Sequence, residues 1–60
     1  MFYILNEKEV RDFTEKYLPM WQDDIIKVSR IEYNNISEYL VNDHYLITIY
    51  KDRVVEKDLQ

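Results

Sequence analysis

His44 is the single histidine of the chain and the one side chain whose ordinary pKa lies near neutrality. A histidine acting as a base needs an orienting carboxylate and a nucleophile in reach. Its neighbour Asp43 faces the opposite way wherever both lie in a strand, and a histidine opening a hairpin strand is ordinary. Asp23-Asp24 is an adjacent acidic pair. With Asp12 or Glu15 it has the oxygen chemistry a hard divalent cation wants. The spacing of a calcium-binding loop and its central glycine are both missing, so a solvated pair or charge at a helix N-terminus is the plainer reading. With no Cys, thiol catalysis, disulfides and the commonest zinc sites are impossible. With no Gly, phosphate-cradling loops, dinucleotide fingerprints and Gly-flanked nucleophilic serines are absent too. No enzymatic activity, metal or cofactor is expected.

What remains is binding chemistry. Trp21, the only tryptophan, follows Pro19 closely; in so small a chain a tryptophan is ordinarily core, and otherwise an interface anchor. Six tyrosines are too many for every ring to be buried with its hydroxyl satisfied. Tyr33, Tyr39, Tyr45 and Tyr50 fall on neighbouring strands of the expected sheet, so some face away from the helix. An aromatic sheet can stiffen itself through cross-strand pairs, meet a protein partner, or stack nucleic-acid bases. Base stacking wants interleaved Lys and Arg, and from Ile31 to Tyr50 there is none, only Glu32, Glu38 and Asp43. Net charge is -3 over residues 12–24, +2 over 25–30 and -3 over 31–50, within a total of -4. Acidic side chains among tyrosines suit a basic partner surface, although charge of this size also serves solubility alone.

The elements that must position these residues are legible in outline. Met1 to Leu5 reads as a short buried strand. Asn6-Glu7-Lys8-Glu9 forms a capping box, and Val10, Phe13, Tyr17 and Leu18 make one apolar stripe over a helix from Glu7 to Leu18. Pro19 stops it. Beyond, Leu18, Trp21, Ile25 and Val28 allow a second helix through Arg30. The alternation of Ile26-Lys27-Val28 and Ile31-Glu32-Tyr33 favours instead a strand from Ile25 to Tyr33, with a phase slip near Ser29 that a bulge would supply. Asn34-Asn35, Asn42-Asp43 and Asp52 mark turns between strands Glu38–Val41, His44–Tyr50 and Arg53–Glu56. Lys57 to Gln60 reads as a frayed end. The expected fold is α+β, β-α-β-β-β-β: one N-terminal helix packed on a small, mainly antiparallel sheet.

Sixty residues, 47% of them hydrophobic, make one folded domain over 1–60 with a thin core. Association is one remedy for a thin core, so a homodimer, formed through a sheet edge, is expected. No apolar run reaches membrane-spanning length and no basic signal segment opens the chain, which points to a cytoplasmic protein without membrane contact. The leading reading is a non-enzymatic protein-binding module, an inhibitor or adaptor that occupies a partner's basic surface. Size and acidity also resemble small virus- or mobile-element-encoded inhibitors that imitate the charge of DNA. Trp21, Asp23, Asp24, Glu32, Tyr33, Glu38, Tyr39 and Asp43 are the candidate partner-binding residues. Two alternatives stand beside it: a nucleic-acid-binding or transcription-regulating module using Lys27, Arg30, Lys51 and Arg53, and a structural subunit of a homo-oligomer.

Overall fold

A computed structural model describes residues 2–59 and shows the expected α+β architecture. Strand β1 (Phe2–Ile4) leads into helix α1 (Glu7–Tyr17), and strands β2 (Val28–Tyr33), β3 (Ile36–Val41), β4 (Tyr45–Ile49) and β5 (Val54–Asp58) follow. The five strands are antiparallel in the order β1-β2-β3-β4-β5. Met1 and Gln60 lie outside the described residues.

Helix α1 begins where its cap dictates. The Asn6 side chain accepts the Glu9 amide at 2.9 Å, and the Glu9 carboxylate accepts the Asn6 amide at 3.0 Å. Both orphan donors are therefore satisfied by one four-residue motif. Leu18 caps the C-terminus, its amide donating to the Thr14 carbonyl at 2.9 Å. The expected stripe faces the sheet: Phe13 and Leu18 are buried, Val10 and Tyr17 half-buried. Thr14 joins them, fully buried, its hydroxyl satisfied by the Val10 carbonyl at 2.6 Å. Against this stripe lie Leu5, Val28, Val41 and Ile47, and the Phe13 ring stacks on Tyr39 at 4.4 Å.

Turns without glycine fall on asparagine and aspartate. Asn34 and Asn35 take φ of 47° and 64° between β2 and β3, and Asn42 and Asp43 take 51° and 62° between β3 and β4. Short polar side chains tolerate this left-handed region better than others.

Several boundaries depart from expectation, among them that of β3, which opens at Ile36 and not at Glu38. Residues Pro19–Asp24 form a 3-10 helix, so neither a full second helix nor a bare loop follows α1. Strand β2 starts at Val28, three residues later than expected, because the amides of Ile26 and Lys27 bond the Asn42 side chain in place of a neighbouring strand. No bulge interrupts it; the register runs unbroken from Val28↔Val41 to Tyr33↔Ile36. Finally, the chain end is not frayed at Lys57 and Asp58, which belong to β5, and the Leu59 amide donates to the His44 carbonyl at 2.7 Å. Pairing with β4 holds that segment.

Candidate functional site

One cleft stands out, and the turn chemistry of Asn42 builds it. Positive φ at Asn42 swings its side chain toward the segment that leaves the 3-10 helix. There Oδ1 accepts the amides of Ile26 at 2.8 Å and Lys27 at 3.1 Å, while Nδ2 donates to the Asp24 carbonyl at 2.9 Å. The backbone adds a fourth bond, Asn42 amide to Lys27 carbonyl at 2.8 Å. These bonds fix the 3-10 helix beside the β3–β4 turn. Between them opens a cleft of about 420 Å³, within the range that admits a ligand or an anchoring side chain. Leu18, Ile25, Val41 and Tyr45 give it apolar walls. Trp21 forms its lip, and Asp24, His44 and Asp58 bring polar atoms to the rim.

Trp21 is 59% exposed, so it is not the core residue that a lone tryptophan ordinarily is. The sequence reason is local: Pro19 starts a 3-10 helix whose tight winding leaves Met20 and Trp21 outside, with the Trp21 amide bonded to the Leu18 carbonyl at 3.0 Å. An amphipathic indole held at the edge of an apolar cleft has the properties of a contact anchor.

His44 reaches the cleft from the β3–β4 turn. Its Nδ1 is 4.0 Å from an Asp58 carboxylate oxygen, beyond hydrogen-bond reach, and is shielded from solvent with no hydrogen-bond partner among the described residues. The Tyr45 hydroxyl, the one hydroxyl among the lining side chains, donates to Glu56 at 2.9 Å. Neither geometry activates a nucleophile. Among the described residues, no group of three or more His, Cys, Asp or Glu side chains converges to hold a metal ion. What the arrangement presents is an apolar surface bordered by the carboxylates of Asp24 and Asp58.

The candidate partner-binding residues separate into three places. Trp21, Asp23 and Asp24 share the 3-10 helix, and Asp43 flanks the same cleft in the β3–β4 turn, 3.5 Å from Lys27. Glu32 lies on the helix-facing side of β2, 2.8 Å from Arg30. Tyr33 and Glu38, hydrogen-bonded to each other, lie on the opposite side of the sheet. Tyr39 is half-buried against the core, stacked on Phe13 with the Arg30 guanidinium 5.4 Å from its ring. Burial raises its hydroxyl pKa, although Arg30's charge pulls the other way.

The basic residues do not gather into one strip. Lys27 stands at the cleft end of the sheet, while Lys51 and Arg53 occupy the β4–β5 connection at the other end. Arg30 is turned into the helix–sheet seam, donating to the Tyr3 hydroxyl at 2.9 Å. Burial works to lower its pKa, but that hydrogen bond and nearby Glu32 leave it raised. Arg53 lies 3.2 Å from Asp52 and 4.2 Å from the Tyr50 ring.

Among the residues the sequence did not single out, Asn42 matters most. Its turn propensity is a local signal, but its three side-chain bonds join residues 15 to 18 positions away, which no local pattern records. Fold and site together define a small two-layer α+β domain with an acidic-rimmed apolar cleft. Comparison with protein-family models, with curated proteins and with solved structures finds no match to this chain.

Proposed function

We propose that the chain is a non-enzymatic protein-binding module, an inhibitor or adaptor, that takes a basic segment of a partner protein into the cleft under Trp21. The observation that carries this reading is the pairing of an exposed tryptophan with an apolar cleft whose rim is acidic. Asp24 and Asp58 line it, and Asp23 and Asp43 stand on the segments beside it. The partner that fits presents an apolar or aromatic side chain flanked by Lys or Arg. The anchor supplies affinity by burial, and the charges supply encounter rate and selectivity.

Selection from a displayed peptide library tests this. Binders should be enriched in Lys or Arg around one bulky apolar residue. Trp21→Ala should weaken them about 30-fold, the loss expected of a residue worth about 2 kcal/mol. Replacing Asp23, Asp24 and Asp43 by Asn should chiefly slow association. Enrichment of acidic sequences, or binding indifferent to Trp21→Ala, would refute the reading.

A further inference from the structure

The sheet face opposite α1 is the largest feature that the cleft leaves unexplained. Register places Phe2 and Ile4 of β1, Ile31 and Tyr33 of β2, Ile36 and Leu40 of β3, Leu46 of β4 and Val55 of β5 on that side. None of the described elements covers it, while neighbouring side chains bury Ser29 and Thr48 and half-bury Ile36, Leu40 and Leu46. Phe2 is 61% exposed, Ile4 57%, Ile31 39% and Val55 43%. Five strands about 4.8 Å apart and about five residues long present roughly 400 Å² in projection. Most of the residues on that area are apolar, and the largest apolar patch of a small protein is often a functional one.

We infer that this face binds the same face of a second copy of the chain, forming a symmetric two-sheet sandwich. Three observations select that occupant, and they go beyond the proposed cleft function. First, charge. Whereas the whole chain carries -4, the strand residues of this face carry one acid, Glu38, and one base, Lys57. A basic partner finds no net negative charge there, and a second copy meets no net repulsion. Second, area. Two such faces together remove on the order of 1,000 Å² of accessible surface from water, the size at which a specific interface begins to hold. Third, relief. Phe2, Ile4, Ile31 and Tyr33 crowd the β1–β2 flank, whereas on the β4–β5 flank Thr48 and Val55 form a low patch beside Leu46 and Lys57. A second copy turned about a two-fold axis parallel to the strands sets each raised flank over the other's low patch. The Lys57 stem can lie along apolar surface while its ammonium reaches water.

The sheet edges are poorer candidates, contrary to the expectation of edge pairing. Strand β1 has only three residues, and β5 ends in Glu56-Lys57-Asp58. Short and charged edges resist addition of another strand.

Sedimentation equilibrium from about 5 to about 500 μM tests the dimer. The wild-type mass should rise from 7.5 kDa toward twice that value. Ile31→Lys and, separately, Ile4→Lys should each raise the dissociation constant at least about tenfold while helix content is retained. A wild-type mass fixed at the monomer value, or a dimer untouched by both variants, overturns the inference. Should both variants unfold, amide chemical shifts of the wild-type protein on dilution decide. Changes at Ile31, Leu40, Leu46 and Thr48 support the face, and changes confined to the cleft or to the outer edge of β5 overturn it.

Discussion

Asn42 shows how much structure one side chain can carry. Its backbone closes the β3–β4 turn, and its amide group joins that turn to the segment entering β2. The two roles separate by mutation. Asn42→Gly keeps the left-handed backbone accessible and removes only the side-chain bonds, so it should cost about 1 kcal/mol in a urea titration, since water competes for partly exposed groups. An unchanged midpoint would mean those bonds hold nothing. The turn itself was legible because a chain without glycine has few other residues that tolerate positive φ. Trp21 was legible as either core or anchor, and only the tight winding after Pro19 decides between them. The tyrosines make a separate prediction. Tyr33, through its hydrogen bond to Glu38, Tyr39, through burial, and Tyr45, through its hydrogen bond to Glu56, all titrate above the ordinary 10.0. An unfolded chain therefore loses these protons first as pH rises. Their contribution is complete below the unfolded value and lost through the folded ones. The urea midpoint should hold level up to about pH 9 and fall as pH rises past 10.0, and a profile that stays flat there would contradict the assignment.

Among the elements, α1 was read almost to the residue because its signals are local. A capping box, one stripe and a terminal proline lie within the span they define. Asn6→Ala removes an acceptor for the Glu9 amide and should lower stability by about 1 kcal/mol, measured by chemical denaturation. Strand β2 was harder for a physical reason. Val28 faces the helix, while Ile31 and Tyr33 face the bare side, so apolar residues fall on both parities of one strand. Two apolar faces imitate a phase slip when one face is assumed polar. The apparent irregularity near Ser29 records an uncovered surface, and the backbone there is regular. The extent of β5 was missed because its described residues are all exposed, leaving no pattern of burial to mark it; cross-strand pairing alone defines it.

At the scale of the molecule, one helix cannot cover both sides of a five-stranded sheet. The helix face holds the core, and its open end becomes the cleft. The opposite face offers apolar area with balanced charge. Charge segregation along the sequence pointed toward a basic partner but not toward a single place, because successive strands send Glu32 and Glu38 to opposite sides. Among the described residues, Asp24 of the 3-10 helix and Asp58 of β5 are the acids that line the cleft with the exposed indole. Since Trp21 is the sole tryptophan, its emission reports directly on the cleft. The decisive measurement is a fluorescence titration of the protein with a library-selected Lys- or Arg-flanked apolar peptide, repeated across a salt series. The cleft account predicts a blue-shifted, saturable change with affinity falling as salt rises. Saturable binding of that peptide with unchanged Trp21 emission, or an affinity indifferent to salt, would contradict it.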